Sequence, residues 1–236
     1  MSNSKNSIAD QLKKAGIRVE NSLSNEDIKT EVAKKGYSEE ELLNGRAKIS
    51  AATKAVQDQV SKAGIAESST AFEAKCKKEA HIAYQNLGQI LRAKYSANSP
   101  QLTKIGLIGS EPASTANFIK AGYLLFDNAK SDAEISSFIL NRGYTTEFID
   151  SERAKITAYE KANQDQQTAQ GNAIKATEIQ TNALKEMNDW VSEYTAVAKV
   201  ALRQDKKLLE KIGIFTGKRS PAKKKAAVKN TPPPAQ

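Results

Sequence analysis

The single histidine of the chain, His81, decides which metal-dependent chemistry the sequence can support. A di-iron site in a helical bundle needs two Glu-x-x-His pairs, and helical zinc motifs need at least two histidines. Glu79 precedes His81 by two residues and so lies on a different helical face. We therefore predict no catalytic residue, no metal site and no cofactor, although abundant carboxylates and lysines leave an enzyme as the alternative. His81 itself is interpreted as a partly exposed helix residue.

A cluster of cations near the C-terminus is the candidate site for binding a polyanion. Residues 218–236 contain six cations and no acid, and subtracting them from the net charge of +9 leaves +3 for the rest. Attraction to nucleic acid should therefore reside in this segment, or the segment only improves solubility. Its Lys/Pro-rich, apolar-poor composition predicts a disordered tail. The six cations are Lys218, Arg219, Lys223, Lys224, Lys225 and Lys229.

The most apolar segment of the chain, residues 116–129, is the candidate surface for docking a partner. It is too short to span a bilayer. We interpret it first as a connecting helix buried in the fold and second as a docking helix. An interfacial membrane helix is the weakest interpretation, because the segment has no strongly basic face. The candidate docking residues are Phe118, Ile119, Tyr123, Leu124 and Phe126.

An internal repeat underlies the positions of all these residues. Residues 36–59 recur as residues 143–166, an offset of 107, with 13 of 24 positions identical. Residues 102–107 match residues 209–214 at the same offset. A period of this size predicts two copies of a domain-scale unit rather than a solenoid. Shared charges such as Arg46 and Arg153 indicate either a duplicated binding surface or solvated helix faces.

The composition is typical of an all-α protein, since glycine and proline are sparse and good helix formers dominate. In each copy we predict a short helix followed by a long antiparallel helical hairpin. Gly36 should cap the helix over residues 26–35, and Ser38 with Glu41 forms a capping box for the next helix. Gly64 and its counterpart Gly171 are predicted to end the first arm of each hairpin, with Ser68 or Thr70 capping the return helix.

An apolar stripe on each return helix predicts the packing face. Its side chains differ between the copies while its spacing is kept, so Cys76, Met187 and Trp190 are interpreted as core residues. The alanine-rich hairpin tip buries little area and should fray or dock on something. The predicted stripe comprises Phe72, Cys76, Ala80, Ala83, Leu87, Ile90 and Leu91 in the first copy, and Ile179, Ala183, Met187, Trp190, Tyr194, Val197 and Ala198 in the second.

The predicted fold is a pseudo-twofold four-helix bundle formed by the two hairpins, with extra short helices. Its segments are an N-terminal stretch (1–20), the first repeat (21–109), the connecting apolar helix (110–127), the second repeat (128–217) and the tail (218–236). The leading functional prediction is a non-enzymatic helical scaffold or protein-interaction module that binds a protein or self-associates. The alternative is a nucleic-acid-associated protein that binds through its tail. A cytoplasmic location without integral membrane insertion is expected.

Overall fold

Helices account for all regular secondary structure in the part of the chain that the computed structural model describes, residues 7–97 and 99–215. No strand occurs within these ranges, so the predicted all-α class is confirmed. The eight helices are α1 (Ile8–Ser24), α2 (Glu26–Ala33), α3 (Glu39–Lys94), α4 (Pro100–Lys104), α5 (Thr115–Ser131), α6 (Ala133–Leu140), α7 (Thr146–Ala201) and α8 (Lys206–Lys211).

Helix boundaries recur along the chain at the offset found in the sequence. The helices α5, α6 and α7 begin and end 107 residues after α1, α2 and α3. The caps recur as well, because Ser7 and Ser114 each accept a hydrogen bond from the backbone N–H three residues later. Asn25 and Asp132 do the same for α2 and α6. Such side-chain oxygens satisfy N–H groups that have no partner within the helix.

The start of α3 follows the sequence prediction closely. Gly36 has φ of +94°, the left-handed conformation expected of a C-terminal cap, and Gly143 has φ of +84°. Ser38 Oγ accepts a hydrogen bond from the Glu41 backbone N–H at 3.3 Å. The Glu41 carboxylate, however, accepts from Trp190 Nε1 at 2.7 Å. The side chain of Glu41 therefore serves a tertiary contact at this helix start.

The predicted hairpin turns at Gly64 and Gly171 are wrong, because α3 and α7 each continue as one helix of 56 residues. An interior glycine weakens a helix by only about 1 kcal/mol, which neighbouring helix formers can offset. The expected caps bond backward instead. Ser68 Oγ donates to the Ile65 carbonyl at 2.9 Å and Thr70 Oγ1 to the Ala66 carbonyl at 2.8 Å. Each copy thus supplies one long helix rather than two arms.

The chain divides into two compact units. Unit 1 consists of Met1–Ala52 together with Leu184–Gln236, and unit 2 is Thr53–Ala183. In the described residues, unit 1 holds α1, α2, the start of α3, the end of α7 and α8. Unit 2 holds the rest of α3 and α7 together with α4, α5 and α6. Each unit therefore contains helices from both sequence copies.

Matching side-chain pairs join the short and long helices within each unit. Arg46 on α3 forms a bidentate contact with Glu20 on α1, with Nε to Oε1 at 2.7 Å. Arg153 on α7 makes the corresponding contact with Asp127 on α5. All four side chains are largely exposed, so these pairs define which helices meet more than they stabilise the fold.

The core contains most of the predicted stripe, with two exceptions. Cys76, Met187 and Trp190 are buried as predicted. Phe72 and Ile179 are wrongly placed in the stripe, because both are more than half exposed. The inward-facing line on α3 passes instead through Ser69 and Glu73, which are half-buried. Apolar character selected Phe72 in the sequence, whereas the helical period selects its neighbour.

Membrane-spanning potential is absent from the described helices: none combines the length and apolarity that crossing a bilayer requires.

Candidate functional site

One face of α1 forms the first wall of a basic cleft in unit 1. Gln11, Lys14 and Arg18 follow one another at helical spacings of three and four, so they project from the same side of α1. Ser7 fixes the start of the helix by accepting a hydrogen bond from the Asp10 N–H at 3.1 Å. The face therefore presents two cations in a fixed register.

The last turns of α7 and the segment after α8 form the other walls. Asn188, Val191, Thr195 and Lys199 share one face of α7, again at helical spacing. Asn188 Nδ2 donates to Gln11 Oε1 at 2.9 Å, which joins α7 to α1. Asn21 Nδ2 on α1 donates to the backbone carbonyl of Lys211, and Ser22 Oγ is hydrogen-bonded to Tyr194 Oη. These contacts hold the cleft open between three elements.

The cleft has a volume of about 820 Å³ and an excess of positive charge. One carboxylate, Glu210, faces four cations around it. Apolar side chains, among them Ile17 and Ile214, form part of the lining. A concave surface with one sign of charge attracts ions of the opposite sign. The four cations are Lys14, Arg18, Lys199 and Lys211.

Arg18 is the most constrained cation of the cleft. Its Nε is buried and has no hydrogen-bond partner among the described residues. Burial lowers the pKa of the Arg18 guanidinium from its ordinary value, although arginine remains protonated in proteins. A buried donor without a partner costs about 1–3 kcal/mol, and more when it is charged. A bound anion would remove this cost, since a guanidinium binds phosphate through paired N–H groups.

The equivalent place in unit 2 is filled by core side chains. The residues 107 positions from Gln11, Arg18, Val191 and Ile214 are apolar or aromatic and almost fully buried. They are Phe118, Leu125, Tyr84 and Leu107. The His81 ring stacks on Phe118 with centroids 3.9 Å apart, where unit 1 has the Asn188–Gln11 hydrogen bond. Unit 1 therefore keeps a charged cleft where the same helices could form a closed core.

An exposed aromatic residue marks the C-terminal rim of the cleft. Phe215 lines the cleft and is 81% exposed. It is also the last described residue, so the predicted polyanion-binding cations lie outside the described residues. These are Lys218, Arg219, Lys223, Lys224, Lys225 and Lys229.

The candidate docking helix is α5, and most of its apolar side chains are buried in unit 2. Phe118, Ile119 and Phe126 are each less than 9% exposed. Tyr123 is half-buried, donates from Oη to Glu160 Oε2 at 2.6 Å and lies under the Arg153 guanidinium. Leu124, at 43% exposed, is the predicted docking residue that keeps a large accessible area. Burial of the other side chains is what a core helix requires.

His81 lies in a small polar cluster of unit 2. Its Nδ1 is hydrogen-bonded to Glu111 Oε1, and Gln85 Nε2 donates to Glu111 Oε2 at 3.0 Å. Beside it lies a cavity of about 230 Å³, where Thr115 Oγ1 and Tyr159 Oη are 3.1 Å apart. The cluster ties the segment before α5 to α3. No group of three or more potential metal ligands occurs in the described ranges.

Reasoning from the sequence missed the cations of the cleft, because each lies alone within a polar helix. A signal was present in the comparison of the two copies. Arg18 corresponds to Leu125 and Lys14 to Ala121, so a charge stands where the other copy has an apolar residue. A shared core would keep such positions apolar in both copies. Divergence of this kind can identify a surface before its geometry is known.

Comparisons of the chain with protein-family models, with curated proteins and with solved structures gave no match.

Proposed function

We propose that the chain is a non-enzymatic helical interaction module built from two internal repeats, and that the partner of unit 1 is a nucleic acid. The observation that carries the proposal is the basic cleft, which replaces a closed apolar core at the equivalent place in unit 2. Proteins rarely give up core packing without a compensating function. The buried Nε of Arg18 supplies a donor that an anionic partner would satisfy.

Several features favour a nucleic acid over other anions. Single strands are bound by grooves that combine cations for the phosphates with aromatic rings for the bases. The cleft has four lining cations, and Phe215 offers an exposed ring at its rim. The sequence continues from this rim into six further cations without an acid. The cleft and the C-terminal cations together supply ten positive charges.

The pseudo-twofold arrangement predicted from the sequence is also proposed, in an altered form in which each copy supplies one long helix. The helix boundaries that recur at 107 residues support it. So does the composition of the units, since each draws equivalent helices from both copies. In this proposal the duplication provides the scaffold, and later substitutions distinguish the surfaces of the two units.

Fluorescence anisotropy with a labelled single-stranded oligonucleotide tests the proposed partner. We expect Arg18→Gln to weaken binding about tenfold, the effect of losing one well-formed phosphate contact. Lys13→Gln is the matched control, since Lys13 lies on the same helix and is exposed but does not line the cleft. Its loss should change the affinity less than about twofold. Equal losses in both variants, or no binding by the native chain, would contradict the proposal.

Removal of residues 218–236 separates the cleft from the C-terminal cations. Neutralising six phosphates makes log K fall with log salt at a slope of about −4 on a single strand. The truncated chain should lose most of this slope. It should nevertheless keep the difference between native and Arg18→Gln binding. A truncated chain whose residual binding ignores Arg18 would show that the cleft has no part in it.

A further inference from the structure

Trp190, the single tryptophan of the chain, fills a slot within unit 1. Its Nε1 donates to Glu41 Oε1 at 2.7 Å. Its ring stacks on Tyr194 with centroids 5.3 Å apart and meets Tyr37 edge-on at 5.8 Å. Gly45 makes room for the indole, because a Cβ at that position would lie less than 3.0 Å from three atoms of the ring. The slot is thus shaped to hold a bicyclic aromatic ring with an N–H donor.

The corresponding slot in unit 2 has lost its indole. Ala83 stands 107 residues before Trp190, and Glu152 stands 107 residues after Gly45. A cavity of about 250 Å³ lies between them. A protein cavity of about 150 Å³ is large enough to bind benzene. The cavity of unit 2 therefore has room for a ring system of the size that Trp190 provides in unit 1.

The walls of this cavity keep the character of an aromatic site. Tyr144 corresponds to Tyr37, and its ring lies 5.2 Å from that of Phe148 at a tilt of 59°. Leu87 and Ile90 on α3 line the cavity from the opposite helix. Aromatic rings prefer tilted or offset neighbours of this kind. A planar apolar ligand would find contacts on both sides.

Glu152 gives the cavity one buried charge. It is 8% exposed, and among the described residues Ser22 is the one other polar or charged side chain that is buried. Lys155 Nζ lies 2.5 Å from Glu152 Oε1, on the same helix and one turn away. An isolated buried carboxylate is costly, and a charged partner reduces this cost. The carboxylate thus lines an aromatic cavity, as Glu41 borders the indole of Trp190 in unit 1.

We propose that the cavity of unit 2 binds a bicyclic aromatic amine. The ring of the ligand takes the place that the Trp190 indole has in unit 1, and its ammonium group donates to the Glu152 carboxylate. Charge-assisted hydrogen bonds of this type are about twice as strong as neutral ones. The proposal concerns residues of unit 2 and stands independently of nucleic-acid binding by unit 1.

Isothermal titration calorimetry of the full chain with tryptamine and with indole tests this site. Both probes should bind, and Glu152→Gln should weaken tryptamine at least tenfold while changing indole less than about twofold. Glu147→Gln is the matched control, because it removes an exposed carboxylate from the same helix. No heat with either probe at about 1 mM would overturn the proposal. Equal tryptamine binding by the native chain and Glu152→Gln would overturn it as well.

A second variant tests the location directly. Ala83→Trp combined with Glu152→Gly recreates in unit 2 the pair that fills the slot of unit 1, and it should abolish binding of both probes. Its thermal melting shows whether the variant folds, and Ala83→Phe offers a smaller filler should it not. Tryptamine binding to a folded, filled variant with native affinity would place the ligand elsewhere and contradict the proposal.

Discussion

Single residues decide whether a given place in this fold is closed or open. The indole of Trp190 can lie against α3 because Gly45 has no side chain, and Trp190 is held by Glu41, Tyr37 and Tyr194. Arg18 opens the cleft of unit 1 at a position where unit 2 has a buried leucine. Substitution at these few positions therefore changes the binding surface while the helices remain.

The close approach at Gly45 leads to a stability prediction. Gly45→Ala should lower the free energy of unfolding by about 1–3 kcal/mol, because the new methyl group overlaps a ring that three partners hold in place. Gly16→Ala is the control, since a methyl group added to Gly16 inside α1 would meet no neighbouring atom within 4 Å. It should stabilise the protein by about 0.5–1 kcal/mol through helix propensity. Urea denaturation measures both, and opposite signs are expected.

The two candidate sites differ in how far the sequence could predict them. Comparing the copies exposes Arg18 against Leu125 and Ala83 against Trp190 as positions where character changes. The cleft could have been inferred from the first pair, since a charge replaces a core residue. The cavity could not, because its existence depends on whether Glu152 and its neighbours repack into the space of the missing indole. That outcome is a property of side-chain packing in three dimensions.

At the scale of helices, ends were predictable and continuity was not. Gly36 and Ser38 combine a left-handed cap with an N-cap oxygen, two signals that act locally and point the same way. Gly64 was a single weak signal, and a glycine without such a partner can remain helical. The error propagated, because two hairpins predict four long helices where the chain has two.

Glycine substitutions test the continuity of α3. Gly64→Ala should raise the free energy of unfolding by about 0.5–1 kcal/mol, because alanine is the better helix former. Gly36→Ala should lower it by about 1 kcal/mol, because its φ of +94° strains any residue with a Cβ. Thermal or urea unfolding of the two variants supplies the comparison. Destabilisation by Gly64→Ala would indicate a turn at that residue and contradict the 56-residue helix.

For the whole molecule, the sequence predicts the helical class and the duplication of residue patterns but not the composition of the units. Unit 1 joins residues up to Ala52 with residues from Leu184 onward, a pairing of distant segments that no local pattern encodes. The distribution of charge follows from this pairing. Lys14 and Arg18 near the N-terminus line the same cleft as Lys199 and Lys211. Cations that are dispersed along the sequence thereby form one basic surface.

Photocrosslinking with an oligonucleotide that carries 5-bromouridine, followed by mass spectrometry of the attached peptides, tests the proposed nucleic-acid interface most directly. The account predicts crosslinks to Phe215 and to peptides from α1 and the last turns of α7, with fewer in Arg18→Gln. Crosslinks confined to residues 218–236, or found mainly in unit 2, would show that the cleft is not the interface.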